Sequence, residues 1–426
     1  MCIRDSIEID IIKNLTWRTA ASYMWQQVRE DYWDNGSTRQ ADANQSPYGY
    51  GYRNNDEKYS WQVTNTLNYA FDLDDHAHDF NVLLGQETWY TESMNLDNEY
   101  RKFTDGNFGL NDVSMGEPYT WKSGKSREGL VSVFGRLSYN YKERYLFTGT
   151  LRADGSSKFS KKNRYGYFPS GSLAWNFMEE EFMKPLSKVL DAGKLRASWG
   201  LTGNNRIGEY EYYALLQALK SKVGDYISNG SIPSGVYPIN GSTTNVGTVP
   251  TSIGNSNLKW ETTEQWNVGL DLSFFKERLN FTADIYRKTT RDLLLEASLP
   301  LTSGFYSATK NIGKVRNDGL ELSLNTVNIQ TKDFTWSTDF NIAFNKNEVL
   351  ALSEGQNSLL TAASFDQNYN SQPSYIAQVG LPMGMMYGYI YEGTYKYDDF
   401  NKSGDTYTLK KGVPHYSTET NTQPGM

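Results

Sequence analysis

The sequence predicts an all-β protein: a transmembrane, antiparallel, up-and-down β-barrel sheet of roughly twelve strands. Three observations predict it. Side-chain polarity alternates with a period of two along many segments, the segments are long enough to cross a bilayer, and the connections alternate between short and long.

Composition agrees with that class and removes others. Only 38% of the 426 residues are hydrophobic and mean hydropathy is -0.64, yet 31 Tyr, 19 Phe and 11 Trp are present. Disordered chains are poor in aromatics. No run approaches the ~18 apolar residues of a membrane helix. A polar average with many aromatics suits a wall whose lipid-facing residues are interleaved with lumen-facing ones. A net charge of -7 leaves no basic footprint for nucleic acid. The single cysteine, Cys2, excludes an internal disulfide, and three histidines leave little for metal or histidine chemistry.

The strands follow in order. Residues 1–13 are an uncertain segment: "MCIRDS" fits nothing downstream and reads as a scar, and no signal-peptide order of basic, apolar and small residues is present. From residue 14 to 395 the alternation recurs. Trp61, Val63, Leu67, Tyr69 and Phe71 oppose Gln62, Thr64, Thr66 and Asn68. Val131, Val133, Leu137 and Tyr139 oppose Ser132, Arg136, Ser138 and Asn140. Trp266, Val268, Leu270 and Leu272 oppose Asn267, Asp271 and Ser273, and Leu279, Phe281, Ala283 and Ile285 oppose Asn280, Thr282, Asp284 and Tyr286. Phe340, Ile342 and Phe344 oppose Asp339, Asn341 and Asn345. Such segments reach or exceed the ~9–11 residues of a tilted membrane strand, whereas soluble strands average ~5–6.

Short turns fall at Asp74–His78, Lys142–Arg144, Phe275–Arg278 and Gln330–Asp333. Long polar stretches are expected at 29–58, 96–127, 204–257 and 353–374, and a polar loop at 396–426. Short on one side and long on the other is the pattern of outer-membrane barrels, with the short turns periplasmic. A sandwich or propeller has no reason to sort its loops this way.

Candidate chemistry is sparse. "EEE" at Glu179–Glu181, before Pro185, reads as the solvated first turn of a short helix favoured by its dipole. "DDFNKSGD" opens like a calcium loop at Asp399, Asn401 and Ser403, but Lys410 stands where the closing glutamate belongs, so it reads as a polar turn. His76 and His78 lack a third ligand. "ADGSS" at Ala153–Ser157 has no histidine partner and no nucleophile elbow around it. The sequence predicts no catalytic or metal site, no cofactor and no enzyme.

Aromatics are more informative. Tyr145, Trp175, Trp199 and Trp260 suit interfacial girdles. Tyr32, Trp33, Tyr48, Tyr50, Tyr52, Tyr119 and Trp121 fall in the expected outer loops. There they are candidates to stack on a ligand, against the plainer role of loop packing.

From "NLKWETTEQWNVGLDLSFFKERLNFTADIYRKTTRDLLLEASLPLTSGFYSATKNIGKVRNDGLELSL" the chain closely resembles the SusC/RagA family of TonB-linked outer-membrane proteins of Bacteroidetes. "YLFTGTLRADGSSKFSKKNRYGYFPSGSLAWNFMEEEFM", "KLRASWGLTGNNRIGEY", "FNVLLGQE" and "VGLPMGMMYGYIYEGTY" carry the same resemblance. It implies a large barrel in the cell outer membrane, closed by a plug, capped by a SusD-like lipoprotein and driven through the TonB complex. The cargo so implied is a glycan or, in some members, a peptide. No plug region or TonB box is seen here, and "HYSTETNTQPGM" is no final strand, so an internal piece of a ~22-stranded wall is expected. Arg136, Asp271, Asp284, Asp339 and Asn341 are then expected to face the lumen. The rivals are a surface adhesion module, which would lack sorted loops, and an outer-membrane barrel enzyme, which would need clustered Ser, His and Asp or paired carboxylates at one rim that the sequence does not locate.

Overall fold

The computed structural model describes residues 1–36, 49–75, 77–218, 236–239, 243–246, 248–353, 355–362, 373–388, 394–404 and 406–411. By internal contacts it divides into two units, Met1–Asn357 with Gln378–Pro382, and Ser358–Ala377 with Met383–Met426.

The first unit holds one twelve-stranded sheet in strict sequence order. Its strands are β1 (Cys2–Ile12), β2 (Leu15–Asp34), β3 (Tyr50–Leu73), β4 (His78–Arg101), β5 (Glu117–Tyr141), β6 (Tyr145–Ser156), β7 (Tyr165–Asn176), β8 (Leu190–Asn204), β9 (Glu261–Phe274), β10 (Leu279–Arg291), β11 (Lys314–Gln330) and β12 (Thr335–Ala351). Every neighbouring pair is antiparallel. Residues Cys2–Ser6, set apart in the sequence, pair with Ala20–Met24 of β2.

Tight connections gather at one end of the ladder. Asp74–Asp75 (φ 54° and 52°) and Lys142–Glu143 (φ 53° and 59°) supply two successive left-handed residues. That geometry matches the right-handed twist of a hairpin. The β7–β8 link is the exception, with 3₁₀ turns at Phe177–Glu179 and Glu181–Lys188. The helix expected before Pro185 instead runs through it as a 3₁₀ turn.

Residues directly opposed in an antiparallel ladder share a face. Across β9–β12 this yields clean rows: Leu272, Phe281, Leu324 and Phe340; then Leu270, Ala283, Leu322 and Ile342; then Val268, Ile285, Leu320 and Phe344. None of these residues is buried, and Val268, Ile285, Phe340, Ile342 and Phe344 are exposed, Ile285 to 64% and Phe344 to 55%. The opposite face carries Asp271, Thr282, Ser323 and Asn341 in one row. The buried hydrophobic cluster Phe159, Phe168, Leu258 and Trp260 lies instead at the long-connection end. A soluble sheet hides its apolar face in a core; this one leaves it bare and keeps its small core elsewhere.

Two expected loops prove shorter than predicted. Residues 29–34 and 50–58 extend β2 and β3, and 96–101 and 117–127 extend β4 and β5. These extensions mix aromatics with charged and polar residues on both faces, so apolar alternation stops before the ladder does. The expected loop at 204–257 corresponds to the link between β8 and β9. A hairpin, Leu294–Ser298 with Ser307–Asn311, joins β10 to β11.

The second unit contains strands Ser358–Ala362, Pro373–Gln378 and Met385–Met386, and a hairpin of Phe400–Ser403 with Thr406–Leu409. The expected polar loop at 396–426 thus contains paired strands. Asp399 accepts from the Lys396 amide at 2.7 Å, so in this turn its carboxylate caps the backbone.

Candidate functional site

Two girdles bound the apolar face. At the tight-turn end, His78, Tyr141, Tyr145 and Trp175 share one row across β4–β7. Glu180 gathers this row: the Tyr145 hydroxyl donates to it at 2.5 Å, the Trp175 indole at 3.2 Å, and Arg144 stands 3.6 Å away. The Tyr145 and Trp175 hydrogen bonds, with Arg144 adding attraction, hold the Glu180 carboxyl below its usual range. Reading "EEE" as a solvated turn therefore misses one member, since Glu180 fixes two interfacial aromatics. Glu181 pairs with Lys184 at 2.6 Å, as a turn residue would.

At the other end Tyr23, Trp61 and Tyr90 form a row, with Trp25, Tyr59, Glu92 and Arg127 directly above. Glu92 is 3% exposed; Arg127 binds it at 2.6 Å, Tyr90 donates at 3.1 Å, and Lys125 completes the cluster. On β4, His78 and Tyr90 are twelve residues apart. That is roughly 40 Å along the strand, or about 28 Å of height at a ~45° tilt, close to one hydrocarbon layer. Trp199 and Trp266 repeat the device on β8 and β9, their indoles donating to Glu264 at 3.0 and 3.3 Å. Trp260, expected in a girdle, is buried against Phe159 and Phe168, with ring centroids 5.4 Å away in each case. A strand-end tryptophan beside a long connection can pack into loop core instead of lipid.

The polar face is built around bridging arginines. Arg196 on β8 reaches Asp271 at 2.6 and 3.0 Å and Asp284 at 3.1 Å, and Thr282 donates to Asp271 at 3.2 Å. Gly269 lies between them, where a Cβ would collide with Asp284 and stand 2.6 Å from Arg196 Nη2. Arg152 acts likewise, reaching Asp154 at 2.6 Å, Ser132 at 2.8 Å and Glu87 at 3.3 Å. Asp271 and Asp284 thus meet in one cluster. Arg136, Asp339 and Asn341 lie on the same face, exposed, and apart from it. Arg196 and Arg152 were not singled out in the sequence; both sit in "LRA" on a polar strand position, and only register reveals the carboxylates opposite.

The candidate ligand aromatics separate. Tyr32 and Tyr52 stack at 5.1 Å and 14°, and Tyr50 meets Tyr32 edge-on at 6.0 Å. The Arg101 guanidinium lies 5.8 Å from the Tyr50 ring and 3.3 Å over Tyr119, which stands in a bulge of β5. Arg101 also binds Glu99 at 2.6 Å, and Tyr52 donates to Glu30 at 2.9 Å. Tyr32, Tyr50 and Tyr52 occupy the polar face at the long-connection end. Trp33 instead packs edge-on against buried Phe103 at 4.5 Å. Trp121, 73% exposed, opposes Asn98 on the other face. All six lie in strand extensions or at their bulge rather than in loops, because the ladder continues past the apolar band. Tyr48 and His76 lie outside the described residues.

Among the described residues no group of three His, Cys, Asp or Glu is gathered as a metal site requires, and no helix is long and apolar enough to cross a membrane. The sequence matches the family described as TonB dependent receptor-like, beta-barrel, over residues 6–422. TonB-dependent receptor P39 of Formosa agariphila is 35% identical over 351 residues, covering 80% of this chain and 30% of that protein. TonB-dependent receptor SusC of Bacteroides thetaiotaomicron is 34% identical over 319 residues, covering 74% and 30% respectively. The structure of the RagAB peptide transporter matches with a TM-score of 0.74 at 24% identity, over 90% of this chain and 39% of that one. The chain thus spans under a third of the length of these two relatives. With its ordered antiparallel wall, bare apolar band and sorted connections, the chain belongs to the TonB-dependent receptor β-barrel family of the outer membrane.

Proposed function

We propose that the chain supplies part of the wall and rim of a TonB-dependent importer that takes up oligosaccharides, working with a SusD-like lipoprotein. The observation that carries the reading is the half-buried rim pair Tyr32 and Tyr52, backed by buried Tyr50, beside Glu30, Glu99 and Arg101. Aromatic faces bordered by carboxylates and a guanidinium suit sugar rings, which present C–H faces and hydroxyl edges. Similarity to SusC supports the same class of receptor.

The wall itself acts passively. Its apolar band meets lipid, its polar face hydrates the passage, and energy from TonB enters through other parts of the receptor. Import of peptides is the second reading, supported by the likeness of the wall to the RagAB peptide transporter.

Deleting the gene and growing the strain on single polysaccharides tests the proposal. Loss of growth on one glycan, with normal growth on its monosaccharide, is expected. Normal growth on every glycan with loss on peptides favours the second reading, and normal growth on all of them removes nutrient import.

A further inference from the structure

The apolar face of β9–β12 ends within a single row. Above Val268, Ile285, Leu320 and Phe344 stand Trp266, Arg287, Asp318 and Lys346, directly opposed in that order. The next row places Arg316 beside Glu348, and the row beyond adds Arg291 and Lys314. Five basic side chains therefore face three acidic ones, Glu264, Asp318 and Glu348, on the same surface.

The carboxylates are already engaged. Arg287 binds Asp318 at 2.7 Å, Arg316 binds Asp318 at 3.3 Å and Glu348 at 2.8 Å, and Arg291 lies 3.8 Å from Glu264. Lys314 and Lys346 are exposed, and neither is in an ion pair among the described residues. The face thus carries two more cations than anions, Lys314 and Lys346 acting on Glu264 and Asp318 without direct ion-pair contact. Lys346 stands on the edge of a shallow groove floored by Trp266, Val268, Ile285, Leu320 and Phe344, with Lys314 two rows beyond it.

We propose that this patch is a binding site for a phosphorylated outer-leaflet lipid, its phosphate held by Lys314 and Lys346 and its acyl chains laid on the apolar rows below. The charge complementarity fits an anionic headgroup, and the apolar floor continues the band that already meets lipid. A free phosphate would satisfy the lysines but leave the groove uncovered, so the site is committed to the lipid.

The test uses the full-length receptor containing this wall, freed of native lipid in mild detergent. Native mass spectrometry then follows retention of dioleoylphosphatidic acid against dioleoylphosphatidylcholine. Wild type is expected to retain the phosphatidic acid selectively, and Lys314→Gln with Lys346→Gln to weaken retention roughly ten-fold. Lys288→Gln, on the opposite face, should leave it unchanged. Single Lys346→Gln, expected to lower retention by a smaller factor, serves if the double variant fails to fold. Equal retention of both lipids overturns the proposal, as does undiminished retention in the lysine variants. Full displacement by inorganic phosphate at millimolar concentration also overturns it, by removing the lipid as the occupant.

Discussion

Arg196 on β8 reaches Asp284 on β10, 3.1 Å away, across a strand that lies between them. The reach is possible because β9 presents Gly269 at that point. Three strands are thereby tied on the polar face by one guanidinium. Gly269→Ala is expected to destabilise the receptor by about 1–2 kcal/mol through overpacking. Denaturant unfolding in detergent would measure it, and Asp284→Ala in the same chain should recover part of the loss because both changes act on one contact.

The rim tyrosines make a second prediction. Tyr52→Ala removes the stack with Tyr32, and affinity for the proposed oligosaccharide cargo should fall roughly ten-fold, the scale of one aromatic contact. Trp121→Ala is the control: that ring faces the other way and its loss should leave affinity unchanged. Titration calorimetry on the two variants separates a ligand platform from general rim packing.

Glu180 predicts a pH effect. Its folded carboxyl is held below the usual range by Tyr145, Trp175 and Arg144, so the charged form is favoured in the fold. The stability it contributes is present above the ordinary carboxylate pKa and is lost as pH falls from there through the lowered value. Thermal unfolding followed from neutral to acid pH should show a steeper acid decline in wild type than in Glu180→Gln.

The loop core is the fourth case. Leu258 is fully buried with Phe159, Phe168 and Trp260, and Leu258→Ala should cost about 2–5 kcal/mol locally. The wall contributes Phe168 of β7 to that cluster, with Leu130 of β5 and Leu201 of β8 packed against it, all at the long-connection end of the ladder. Limited proteolysis should therefore cut sooner within residues 205–260, while the heat-modifiable gel shift of the barrel stays as in wild type.

The wall was legible in the sequence because a half-lipid, half-water strand must alternate. Leu279 to Ile285 against Asn280 to Tyr286 could hardly be anything else. The rim was less legible: past the band both faces are wet, and Tyr32, Tyr50 and Tyr52 then look like loop residues. Trp260 shows the other limit. Nothing local distinguishes a tryptophan bound for lipid from one that folds under a long connection. The arginine bridges depend on register, which brings residue 196 to 284 across 88 positions of chain.

The one-row change from Phe344 to Lys346 also has a mechanical meaning. Sliding β9–β12 inward by one row would move Arg287, Asp318 and Lys346 toward hydrocarbon. Each cation costs ~2–4 kcal/mol at the midplane, and less near the interface. A pull along the strands therefore meets a restoring force that is small at each residue and shared along the rim. The wall is thereby fixed in height by its own chemistry, with no partner needed to hold it there.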